Sequence, residues 1–242
     1  MFTFKTKAQS LGEILVSGLS LYWVGLKNLW AWSLLLSLMA GIPSFIMGYL
    51  IREQYPSSVL ILCGLLMLMM LPVVIFLLGY IIHQLFLIGT QTTMAFQESS
   101  KYVLNKLPRL IIALPAIAIA SWFGLIFAIA PGIFIGVMFV FVSPLIILDD
   151  YSLVDSFRYS WFLVWKSWWR TFTIIVIPLV LSILMSPFSY AHIPHFSFGR
   201  VGLSVIETAL INMLFFSLML TMYYDSKLRH HVAMHLPRKR SR

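Results

Sequence analysis

Charge is what this sequence has least of. Only 10% of its 242 residues are Asp, Glu, Lys or Arg, where a soluble domain carries about 25%. A chain so poor in charge cannot clothe a water-facing surface. With 60% hydrophobic residues and a mean hydropathy of +0.93, it reads as an all-α integral membrane protein. Cysteine is almost missing. Cys63 stands alone inside an apolar run, so no intrachain disulfide can form and the thiol is expected to serve as packing. Long polar loops are missing too, so a single membrane domain over 1–242 is expected.

The chain also lacks the usual signatures of chemistry. It contains no H-E-x-x-H, no Walker A loop, no G-x-G-x-x-G after a strand and no G-x-S-x-G. No catalytic residue and no cofactor are therefore expected, and the protein reads as non-enzymatic. Two histidine pairs are present, His192 with His195 and His231 with His235. A structural metal site needs about four ligands, so no metal site is expected. The opening MFTFKTKAQS has lysines but no short apolar core ending in a cleavage site. No signal peptide is expected, and the N-terminus should be retained.

What is present is a series of apolar runs flanked by cations. The net charge is +9, but its placement is a topology signal rather than a nucleic-acid surface, so no nucleic-acid partner is expected. Six spans are read at about 29–51, 59–82, 110–130, 132–148, 171–190 and 201–224, arranged as three hairpins. The second apolar run continues to Gly89, beyond the ~20 residues that cross a bilayer. Pro131-Gly132 is expected to form the tight turn between the third and fourth spans. Pro43, Pro72, Pro115, Pro144 and Pro178 fall within five spans, as tolerated kinks or as broken helices around a cavity. Six spans put both termini on one side. Every Lys and Arg except Arg52 and Arg200 falls there as well, and the positive-inside rule makes that side cytoplasmic.

Three segments, 10–27, 90–107 and 150–170, are expected to lie as amphipathic helices on the cytoplasmic surface. The last organises the rest. Ser152 and Asp155 form an S-x-x-D capping box, and Leu153, Phe157, Trp161, Val164, Trp165 and Trp168 recur along one face. Asp155, Arg158, Tyr159, Lys166 and Arg170 fall mostly on the other. This pattern would set Trp161, Trp165, Trp168 and Trp169 at headgroup depth and turn Arg158, Lys166 and Arg170 toward phosphates of an anionic inner leaflet. The plainer alternative is a connector that merely obeys the charge rule for loops. Segment 10–27 opens with a similar box, Ser10 and Glu13, and its apolarity leaves a true span possible. Segment 90–107 is the weakest of the three. Ser10, Leu11, Glu13 and Trp23 share the mutual spacing of Ser152, Leu153, Asp155 and Trp165, a thin trace of duplication.

The stretch from Pro131 to about Phe172 resembles a bacterial inner-membrane family. That family includes the YciC-like proteins and the membrane domain fused to some glycerophosphoryl diester phosphodiesterases. The residues that carry the resemblance are Pro131-Gly132, Pro144, Asp149-Asp150, the run D-S-F-R-Y-S-W-F-L-V from Asp155 to Val164, and Trp168-Trp169-Arg170. Ser156 and Tyr159 depart from the family's usual central box. The resemblance implies six helices and a bacterial cytoplasmic membrane. It implies no chemistry, since no phosphodiesterase catalytic domain is present.

Polar residues inside the spans are the remaining candidates. Glu207 lies about two turns into the sixth span, with Asn212 beyond it, and His83 lies near the cytoplasmic end of the second. An intramembrane carboxylate is costly enough to suggest transport or a proton relay. It could equally sit at the outer headgroups beside Arg200. The tail RKRSR fits either attraction to anionic lipid or simple topology enforcement. Two readings result. In the first, the protein senses or organises membrane lipid, or scaffolds a membrane-protein partner or a second copy of itself. In the second, it is a small transporter built around Glu207.

Overall fold

The computed structural model describes residues 2–5, 7–190 and 198–235. Among these, every regular element is a helix: α1 (Leu11–Arg52), α2 (Ser57–Thr90), α3 (Phe96–Phe127), α4 (Ile129–Met138), α5 (Val142–Leu148), α6 (Leu153–Trp165), α7 (Trp168–Tyr190) and α8 (Phe198–His235). Six stretches are long and apolar enough to cross a membrane, with α4 and α5 counting together as one. Large apolar side chains stand open along them, Ile61, Leu68, Met69, Trp122, Phe127 and Ile129 among them. A water-soluble monomer rarely leaves so continuous an apolar surface uncovered.

The hairpin pattern is present. α1 packs along α2, α3 along α4, and α7 along α8. The most extensive contact joins the ends of the chain, α1 against α8. Those two helices run antiparallel, because Gly18 meets Leu218, Gly25 meets Met213 and Gly41 meets Val205. Between them Ser33 Oγ donates to the carbonyl of Ala209 at 2.7 Å. Small residues let the backbones approach, which is how apolar helices associate where lipid removes the usual hydrophobic drive.

Segment boundaries differ from the sequence reading in several places. Segment 10–27 and the first span are one helix of 42 residues, about 63 Å long at 1.5 Å per residue and about twice a bilayer core. Its Ser10–Glu13 capping box forms as expected. Lys27 does not interrupt it, and Ser20 and Asn28 on either side bond their side chains to carbonyls one turn back. Segment 90–107 is likewise no separate helix. α2 runs through Thr90 and is stopped by Gln91 in the left-handed region, and α3 then carries Phe96 straight into the third span. Segment 150–170 divides at Lys166 and Ser167, so Trp168, Trp169 and Arg170 begin α7. At the other end, α8 continues past Tyr224 to His235.

The turn between the third and fourth spans falls at Ala128, which is extended, rather than at Pro131-Gly132. Pro131 sits in the first turn of α4, where its missing N–H costs nothing. Gly132 instead serves a crossing: a Cβ on Gly124 would come within 2.7 Å of the Gly132 Cα. The fourth span is itself broken between Met138 and Val142. Ser160 of α6 satisfies the carbonyl exposed there, donating to Met138 at 2.8 Å. The prolines at 43, 72, 115 and 178 lie inside continuous helices.

Candidate functional site

Helix α6 turns a face of small and aliphatic residues inward. Its buried residues are Ser156, Ser160, Leu163 and Val164. The serines are small enough to bring α6 close to the broken fourth span, and each hydroxyl has a carbonyl acceptor. Trp161 and Trp165 are therefore rotated to the flank, 43% and 58% exposed, and Trp169 is 73% exposed. At the start of α6 the Asp155 N–H donates to Ser152 Oγ, as expected. The Asp155 carboxylate accepts from the Ser152 hydroxyl at 2.6 Å rather than from the cap's backbone.

The aromatic rings gather where α6 gives way to α7. Trp161 and Trp165 stack with centroids 5.4 Å apart. Phe134, from α4, meets Trp161 and Trp165 edge-on and lies against Trp168 at 5.9 Å. Trp168 in turn stacks on Phe172 at 5.0 Å. Phe134 was invisible to sequence reasoning, because it stands in an apolar run that gives it no distinguishing signal. The corner holds an open pocket of about 390 Å³, lined by Phe134 and by every residue from Trp165 to Arg170. Lys166 is exposed, its Nζ 5.5 Å from the Phe162 ring centre. The Trp168 indole N–H is buried without an acceptor.

The four tryptophans and three cations singled out from sequence thus part company. Trp161, Trp165 and Trp169 are open, and Trp168 packs into the corner. Arg158 and Lys166 are exposed. Arg170 faces protein rather than lipid, donating to the Gln9 carbonyl at 2.7 Å with Asp225 at 3.8 Å.

That contact belongs to a polar lock across one end of the bundle. Asp225 is fully buried and accepts from the Gln9 backbone N–H and from Arg229 Nε, both at 2.7 Å. Arg229 also donates to the Gln9 carbonyl. The segment before α1 is held further by Phe4, whose ring stacks on Tyr224 at 3.9 Å and whose N–H donates to Gly89. Nearby, Asp149 accepts from Lys227 at 2.7 Å and from the Tyr223 hydroxyl. Asp150, left-handed at φ 56°, pairs with Lys106 and with Arg109. Those two partners, Lys106 first, hold its carboxyl below the usual aspartate range. Burial, aided by a hydrogen bond with Tyr159, pushes the Tyr151 hydroxyl up to about 12. The i, i+4 spacing of Asp225 and Arg229 was readable in the sequence. Its burial was not, because the last span was expected to end at Tyr224.

The polar candidates within the long apolar helices lie on α8 and α2. Glu207 is 9% exposed on α8, and Asn212 is half-buried on the same helix. His83 is committed to α3, its Nδ1 2.7 Å from Ser99 Oγ and its ring stacked on Tyr102. The His192–His195 pair and the RKRSR tail lie outside the described residues, and the same holds for the side chains of His231, His235 and Arg200.

No curated protein and no solved structure matches the chain. Residues 111–226, from the middle of α3 to the charged end of α8, match the family model described as "Domain of unknown function (DUF7847)", so the aromatic corner and Asp225 lie inside the matched region.

Proposed function

We propose that this is a non-catalytic, multi-pass protein of a bacterial inner membrane that acts in membrane-lipid or envelope homeostasis. Both termini and the α6–α7 corner face the cytoplasm. The observation that carries this reading is the corner itself. It joins open tryptophans, the exposed cations Arg158 and Lys166, and a cavity, all on the side where the positive-inside rule gathers the charge. Tryptophan is favoured at headgroup depth, and cations there attract anionic lipid in a salt-dependent way. The resemblance to YciC-like proteins and phosphodiesterase-linked membrane domains points to the same membrane without adding chemistry. Partners on this reading are anionic inner-leaflet lipids, together with a membrane-protein partner or a second copy.

The test is the composition of the lipid shell. The full chain is extracted from membranes of mixed anionic and zwitterionic lipid in polymer-bounded discs, and the retained lipid is compared with the bulk. Anionic enrichment is expected, and it should fall in Arg158→Gln/Lys166→Gln. A shell identical to the bulk for the wild-type chain would remove the lipid reading.

The burial of Glu207 within a candidate span supports a second reading, a small-molecule or lipid transporter. Here Glu207→Gln should abolish flux in reconstituted vesicles while leaving folding intact. Flux unchanged by that substitution would end this alternative.

A further inference from the structure

The cavity at the α6–α7 corner has the chemistry of a defined site rather than of a general interfacial patch. Its volume of about 390 Å³ falls within the range of small-molecule pockets, roughly 300–1,000 Å³. One side is aromatic, from Phe134, Trp165, Trp168 and Trp169. The other is formed by the break between the helices, where the stem of Lys166 lines the pocket and its exposed ammonium, resting over the Phe162 ring, can swing toward an occupant. Helix α7 begins here, and the first N–H groups of a helix have no intrahelical acceptor, so they favour an anion. Ser167 lines the same break, though its hydroxyl is already spent on the Leu163 carbonyl. Trp168 adds an independent sign. Its indole N–H is buried with no acceptor, an arrangement that costs free energy unless a ligand supplies one.

We infer that this cavity binds a single phospholipid. The phosphate sits between Lys166 and the start of α7, and the Trp168 ring turns out of its stack on Phe172 to bring its N–H to a phosphate oxygen. Arg170 frames the site but stays bound to Gln9 and Asp225. The aromatic side and the neighbouring open rings of Trp161 and Trp165 run along the first carbons of the acyl chains. That apolar flank is why the occupant is a lipid and not free phosphate, which would leave the rings without a role. The inference rests on the membrane-lipid reading above and sharpens it from a surface preference to one site per chain.

Native mass spectrometry of the full chain in detergent, titrated with phosphatidylglycerol, is the test. One saturable lipid per chain is expected. Trp168→Phe keeps the ring and deletes the donor, and Lys166→Gln removes the charge. Each should weaken retention roughly tenfold, as expected for losing one hydrogen bond to a charged group. Trp30→Phe, on α1 and 57% exposed, should bind as the parent does. Lys166 is exposed, so Lys166→Gln keeps the test open if Trp168→Phe fails to fold. Wild-type affinity in both variants would overturn the site, as would binding that never saturates at one. Glycerol phosphate binding as tightly as the lipid would overturn the assignment to a lipid. Anionic enrichment in the discs without a saturable lipid defeats this inference and leaves the broader reading standing. A saturable, Trp168-dependent lipid without enrichment does the reverse.

Discussion

Asp225 has no exposed surface, yet it anchors three parts of the chain: the Gln9 backbone, Arg229 and, at longer range, Arg170. Removing one partner from a buried charge network typically costs about 3–5 kcal/mol. Asp225→Asn, which leaves two guanidinium groups facing a neutral amide, should therefore cut the unfolding free energy by about that much. Chemical unfolding in mixed micelles would show it. Asp150 makes a milder case. Its carboxyl is held below the usual aspartate range by Lys106 and Arg109, so the ionised form is favoured in the folded chain. Its contribution is complete above the usual aspartate range and is lost as pH falls through its lowered folded value. The difference in unfolding midpoint between wild type and Asp150→Asn should accordingly be constant near neutrality and vanish on strong acidification. These residues show what was legible. Arg158, Lys166 and the tryptophans could be picked out by type and spacing. The partners of Arg170 could not, because Gln9 and Asp225 are 216 positions apart in sequence and only the fold brings them together.

At the scale of elements, helices were readable and their ends were not. Apolar runs and the Ser10 and Ser152 caps announced helices correctly. Nothing in the sequence said that α1 passes through Lys27 without a break, because an isolated charge on a helix face does not stop a helix. The inward serines of α6 carried no sign in the sequence, because hydrophobic spacing does not pick out serine. Close approach to a broken helix needs a small side chain with a hydrogen to give. Ser160→Ala should strip the Met138 carbonyl of its donor and destabilise the protein by on the order of 1–3 kcal/mol, read as a lowered midpoint of thermal unfolding. The α3–α4 crossing offers a sharper contrast. Gly124→Ala drives a methyl into the Gly132 backbone and should cost about 3 kcal/mol through overpacking. Gly48→Ala meets nothing within 4 Å. It should be neutral or raise stability by up to about 1 kcal/mol from helix propensity alone.

For the whole molecule, the three-hairpin plan follows from six apolar runs and the way short turns pair them. The closure of α1 on α8 is a long-range fact that no local pattern carries. That closure brings the segment before α1, the start of α7 and the end of α8 into one charged end, and it leaves the aromatic corner beside it. On the proposed reading this corner meets anionic lipid at headgroup depth. The most direct measurement uses a variant that keeps Trp165 and Trp168 and replaces the other tryptophans with Phe, reconstituted with lipids brominated near the top of the acyl chain. Quenching of this pair should be stronger with brominated phosphatidylglycerol than with brominated phosphatidylcholine at equal mole fraction. The excess should shrink as salt screens the attraction. Equal quenching by the two lipids, or none by either, would contradict the account.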